Sequence, residues 1–148
     1  MGMMIDAKRY LQQVKQCDMR IRIMMEELER MKSFTEKVTS TLSDISVSGT
    51  KNNDKMGDAV VKIVELRNDI NNEIDRFIDL KMEVIAVLDD VANEDQYAVL
   101  YKRYVQFKTF EKIACEMNMT YRNVCYIHGR ALQAVERILR MEDNSATD

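Results

Sequence analysis

From Ala7 to Ile45 an apolar or small side chain recurs every three or four positions: Ala7, Tyr10, Val14, Cys17, Ile21, Met24, Leu28, Met31, Thr35, Val38, Leu42 and Ile45. That spacing is the seam of a heptad repeat, and it commits this part of the chain to one helix burying a single stripe against a partner. The intervening residues, among them Lys8, Arg9, Arg22, Glu26, Glu27, Glu29 and Arg30, are charged and face water. A helix from about Asp6 to Ile45 spans roughly 60 Å at about 1.5 Å per residue. None of the 148 residues is proline and only four are glycine, so little elsewhere interrupts a helical ladder. The expected fold class is all-α.

The stretch 46–58, SVSGTKNNDKMGD, collects Ser, Gly, Asn and Asp, which favour turns over helix interiors, and predicts a loop. A second apolar series follows: Val60, Ile63, Leu66, Ile70, Ile74, Phe77, Val84, Leu88 and Val91, with Arg67 and Lys81 breaking a strict seam. Two helices of matched length joined by one loop fold back most simply as a long antiparallel coiled-coil hairpin over residues 1–94. Such a hairpin buries one stripe per helix, and Met19, Met24, Met25 and Met31 leave adaptable apolar surface beside it, so a homodimer through the hairpin is expected. The alternative is that the C-terminal helices pack back on the hairpin and complete its core within one chain.

Charge divides the chain in the same way. Residues 1–95 hold 14 basic and 19 acidic side chains, residues 96–141 hold 8 and 3, and the tail 142–148 adds three acids and reads as disordered. The net charge of −3 excludes a uniformly basic nucleic-acid coat, yet the 96–141 segment has the local excess of Lys and Arg that phosphate contacts need. No apolar run approaches the roughly 20 residues of a membrane span, and Cys17, Cys115 and Cys125 are expected as free thiols in a reducing cytoplasm.

Within that basic segment, 96–105 (QYAVLYKRYV) predicts a short helix with Tyr97, Tyr101 and Tyr104 as core aromatics. Thr109 is placed to cap a helix from Phe110 to Met117, Asn118 and Met119 form a tight turn, and Thr120 is placed to cap a helix from Tyr121 to about Arg140. Ile113, Ala114, Met117, Met119, Val124 and Ile127 then close a small core around the turn, where Asn118 tolerates a left-handed backbone. This is the pattern of a helix-turn-helix domain over 95–141. The exposed start of its second helix enters the major groove of double-stranded DNA, which assigns Tyr121, Arg122, Asn123, Tyr126 and Arg130 to base edges. Arg122 matches guanine, Asn123 matches adenine, and the tyrosines reach thymine methyls or phosphates. Lys102, Arg103, Lys108, Thr109, Lys112, Thr120, His128 and Arg137 are expected on backbone phosphates, the alternative for the charged ones being simple solvation of an amphipathic helix and, for His128, a packed surface histidine.

Residues 99–139 resemble region 4 of bacterial sigma factors, and more closely phage and prophage regulators of the RinA and ArpU kind. The likeness is carried by Arg103-Tyr104 ending one helix, Ile113-Ala114 within the next, and His128-Gly129-Arg130-Ala131-Leu132 in the recognition helix. The acidic hairpin ahead of it is similar to the layout of uncharacterised phage proteins carrying this domain. The resemblance implies promoter-related DNA binding and contact with RNA polymerase. The chain departs from sigma factors in having no region 2, so it is not expected to melt a promoter alone. Gly129 also places a flexible residue inside the recognition helix, where it permits close approach of DNA or of a neighbouring helix.

Enzymatic chemistry finds little material. His128 is the single histidine, so any Ser-His-Asp or Cys-His relay must be built around it. Cys125 and His128, with Cys115, fall short of the four ligands of a structural zinc site, and Asp75, Asp79 and Glu83 read as solvated helix surface. No metal or cofactor is expected. Two other readings remain for the helix-turn-helix: a phage DNA-packaging adaptor, which would assemble as a ring, and a module that grips polymerase without reading DNA.

Overall fold

The computed structural model describes residues 6–44 and 50–146. It is all-helical, and its two long helices pack against each other as a helical hairpin. Helix α1 spans Ala7–Asp44 and α2 spans Thr50–Asp89; three shorter stretches follow, α3 at Glu94–Leu100, a π-helical turn at Tyr101–Val105 and α4 at Phe110–Met117, before the long α5 at Tyr121–Ala146.

Three boundaries differ from expectation. Helix α2 begins at Thr50, so residues 50–58 are helical, while 45–49 lie outside the described residues. Asn and Asp are tolerated in a first helical turn, and a Gly such as Gly57 costs only about 1 kcal/mol against Ala, too little to stop a ladder this long. Helix α5 continues through Glu142 and Asp143 to Ala146, so the acidic segment up to there is helix, and only 147–148 fall outside the described residues. The compact units also divide the chain elsewhere than at residue 94: residues up to Gln16 join those from Phe77 onward, and Cys17–Arg76 form the other unit.

The first unit holds the main core. Ala7, Leu11 and Val14 of α1 meet Val84, Val87 and Leu88 of α2 and Val91 beyond it, together with Leu100, Tyr104 and Val105, and with Ala131, Val135 and Leu139 of α5. The terminal parts of the hairpin thus belong to the same core as the basic segment, which is why the boundary cuts both long helices. Leu11, not the expected Tyr10, is the fully buried seam residue. Asn93 caps α3 by accepting a hydrogen bond from the Gln96 amide at 3.0 Å, and Phe107, just past the π turn, has φ of 60°. A bulky residue in the left-handed region is strained by on the order of 1 kcal/mol, a cost offset here by the packing of the Phe107 ring on the core.

In the second unit the two helices meet along a thinner stripe. Cys17, Ile21 and Ile70 are buried, the Cys17 thiol approaches the Glu73 carbonyl at 3.7 Å, and Arg20 pairs with the Glu73 carboxylate at 3.7 Å. Burial, and then the neighbouring Glu73 carboxylate, push the Cys17 thiol pKa up, so it behaves as a packing group. Val60, expected on the seam, is 49% exposed.

Candidate nucleic-acid interface

The turn between α4 and α5 is built by local chemistry. Thr109 takes an extended conformation and its hydroxyl accepts from the Lys112 amide at 3.2 Å, starting α4. Asn118 stops it with φ 54° and ψ 45°, the left-handed conformation that Asn accepts at low cost. The Met119 amide then reaches back to the Ala114 carbonyl at 2.9 Å and the Asn118 amide to Cys115 at 3.4 Å, closing a Schellman turn. Thr120 restarts the chain as helix by accepting from the Asn123 amide at 3.1 Å. Beneath the turn Ile113, Ala114 and Val124 are buried, with Met117, Met119 and Ile127 packed against them. Val99 and Phe110 complete this cluster from outside the pattern that the sequence shows.

All five side chains assigned to base edges lie exposed on the first turns of α5: Tyr121, Arg122, Asn123, Tyr126 and Arg130. Arg122, Tyr126 and Gly129 fall within about 60° of one another around the helix. The Arg130 guanidinium stands 5.7 Å from the Tyr126 ring centre, and Tyr121 meets the Phe110 ring edge-on at 6.4 Å. A Cβ added to Gly129 would find nothing within 4 Å, so among the described residues no neighbouring helix requires this glycine.

The side chains assigned to phosphates divide. Lys112 and Arg137 are exposed. The Thr109 and Thr120 hydroxyls serve the helix caps. Lys102 and Lys108 converge on Glu116, at 3.3 Å and 2.9 Å, and Lys108 first among them holds the Glu116 carboxyl below the usual carboxylate range. Nothing in the local pattern announces Glu116, because it meets Lys102, 14 residues away, only once the chain has turned at Phe107. Arg103 donates to the Lys108 carbonyl at 3.0 Å and lies over the Phe110 ring at 4.4 Å, fastening the loop before α4.

His128 is a packed aromatic rather than a cationic phosphate contact. Its Nε2 is 2.7 Å from the Tyr104 hydroxyl, its ring stacks on Tyr104 at 5.7 Å, and Phe110 meets it edge-on at 4.9 Å. Burial, and then the nearby Arg103 and Lys8 charges, bring its pKa down to about 4, while burial pushes the Tyr104 hydroxyl up to about 12. Because the unfolded chain binds this proton near pH 6.5 and the folded chain does not, the stabilisation is complete above pH 6.5 and fades as pH falls toward 4. Discounted for partial solvent access, the loss between pH 7 and 5 is expected to be on the order of 1 kcal/mol. Urea titrations at both pH values check it: His128→Gln should lose measurably less stability over that interval than the natural chain, and equal losses would refute the assignment.

Among the described residues no group of three or more His, Cys, Asp or Glu is placed to hold a metal ion, and no helix is long and apolar enough to cross a membrane. The architecture defines an all-helical chain in which a capped pair of helices follows a helical hairpin. The family model described as "Protein of unknown function (DUF1492)" matches residues 36–136, and the chain belongs to that family. No curated protein and no solved structure matches the chain.

Proposed function

We propose that the chain is a sequence-specific DNA-binding regulator of transcription, working as a dimer on phage or prophage genes in a bacterial cytoplasm and contacting the host RNA polymerase. One observation carries this reading: the Thr109-capped α4 and the Thr120-capped α5, joined by the left-handed Asn118, leave Arg122, Asn123, Tyr126 and Arg130 exposed on the start of the second helix. Those side chains have the donor and acceptor patterns that distinguish guanine and adenine in the major groove. The resemblance of residues 99–139 to sigma region 4 and to RinA- and ArpU-like regulators supports the same reading.

The test is selection of bound duplexes from a random pool at two salt concentrations. A recovered motif that survives higher salt is expected, since base contacts are less salt-sensitive than phosphate contacts. Recovery of no motif would overturn the proposal, and polymerase binding retained without DNA binding would select the alternative module.

Gly129 gives a sharper check, because its methyl-free surface faces outward beside Arg122 and Tyr126. Gly129→Ala is expected to stabilise the fold by about 1 kcal/mol through helix propensity while weakening binding to the selected duplex. Urea unfolding and duplex titration of the same variant should move in opposite directions; tighter or unchanged DNA binding would remove the close approach at this position.

The dimer is supported by apolar surface on the second unit. Met19, Ile23 and Phe34 are 53%, 63% and 67% exposed and fall within about 60° of one another around α1. Sedimentation equilibrium should show a dimer, and the double variant I23K/F34K should be monomeric with an unchanged helical circular dichroism spectrum. A natural chain that sediments as a monomer, or as a ring, would exclude this assembly.

A further inference from the structure

One cavity in the first unit is lined by chemistry that the proposed function leaves unused. It encloses about 140 Å³, and along one wall α1 presents Lys8, Gln12 and Lys15 at positions one and two turns apart. The rest of the lining is Arg103, Tyr104, Phe110 and His128. Three cations and an amide therefore face one small space, and no carboxylate lines it. The charge of Asp6 is felt at the Tyr104 hydroxyl, and its carboxylate already accepts from the Arg9 amide at 3.2 Å at the start of α1.

We infer that this cavity is a binding site for a small oxyanion of the phosphate class. Like charges gathered round a partly enclosed space repel one another, and the local field favours an anion that cancels them. Lys8 and Lys15 have long stems that let their ammonium groups close on such a ligand, and Gln12 supplies an amide donor between them. Arg103 spends one donor on the Lys108 carbonyl and retains others in its planar fork, the geometry that matches tetrahedral oxyanions. The Phe110 face under the guanidinium fixes its plane.

The site brings its own reporter. His128 is held neutral by burial and by the Arg103 and Lys8 charges, with Tyr104 on its Nε2. An anion seated among Lys8, Lys15 and Arg103 offsets that field, so the imidazole accepts a proton more readily and its pKa rises on binding. By linkage the same anion binds more tightly as pH falls through the raised pKa. Anion binding is thereby coupled to the Tyr104–His128 contact, which joins the π turn to α5, and so to the helix that presents Arg122.

Because the chain has a single histidine, the ring signals of His128 in untagged protein report the site without ambiguity. Inorganic phosphate, titrated at constant ionic strength against chloride, is expected to displace those signals saturably and to raise the His128 pKa. The exposed double variant K8Q/K15Q should bind about tenfold more weakly while unfolding at the same urea concentration as the natural chain. A short DNA duplex forms the second arm. Displacement by free phosphate assigns the oxyanion to a small ligand; displacement by the duplex alone, abolished in K8Q/K15Q, assigns it to the DNA backbone. Neither probe shifting the ring saturably, or K8Q/K15Q titrating like the natural chain, would overturn the inference. The site does not depend on base reading by α5, so its failure and that of the proposed function are separable.

Discussion

Leu88→Ala is expected to lower the free energy of unfolding by about 3 kcal/mol, inside the range of about 2–5 kcal/mol typical of buried leucine truncations. Leu88 is completely buried, in a cluster that takes Leu11 from α1, Val84 from its own helix, Leu100 from α3 and Val135 from α5. Removing its side chain therefore leaves a cavity inside a core shared by α1, α2, α3 and α5, which cannot collapse around it without shifting those helices. A domain of this kind is stable by about 5–15 kcal/mol, so the loss is a large share of the whole. Urea unfolding should show a lower midpoint with an unchanged slope. Met82 on the same helix is 62% exposed, and Met82→Ala should stay within about 0.5 kcal/mol of the natural chain. Equal effects at the two positions would mean that the hairpin ends and the C-terminal helices do not share a core.

That shared core is where the sequence is least informative. The helix pair was legible because its determinants are local: Thr109, Asn118 and Thr120 cap and turn within a few residues, and Ile113, Ala114, Met117, Met119, Val124 and Ile127 fall on facing sides by spacing alone. Tyr10 and Leu11 are different. Both fit a heptad series through Ala7 and Val14, and only the presence of Val84 and Leu88 opposite decides that Leu11 goes inside. The start of α2 is hidden for a related reason, since Asn, Asp and Gly lower helix propensity without forbidding the helix. His128 and Glu116 depend on Tyr104 and Lys102, 24 and 14 residues away, brought near by a π turn and by the positive φ of Phe107. No period in the sequence encodes those pairings, so spacing alone leaves His128 between a phosphate contact and a packed surface histidine, and the fold makes it a half-buried, neutral ring.

Arg122→Ala is expected to weaken binding to the selected duplex by about 1–3 kcal/mol, roughly five- to 150-fold, with the loss concentrated on sites carrying the base that Arg122 reads. Its side chain is exposed at the second position of α5, so truncation should leave stability within about 0.5 kcal/mol of the natural chain and any binding defect is one of recognition. Lys112 offers the contrast. It is exposed on α4 and reaches phosphate rather than bases in the proposed docking, so Lys112→Ala should weaken all duplexes alike and reduce the salt slope by about one counterion. Competition titrations with matched and mismatched duplexes at two salt concentrations separate the two behaviours. Should Arg122→Ala lose matched and mismatched sites equally, with a shallower salt slope, Arg122 becomes a phosphate contact and base reading passes to Asn123, Tyr126 and Arg130. Should it lose neither, the exposed face of α5 does not enter a groove, and a surface that contacts polymerase becomes the better account of why its charged and aromatic side chains remain uncovered.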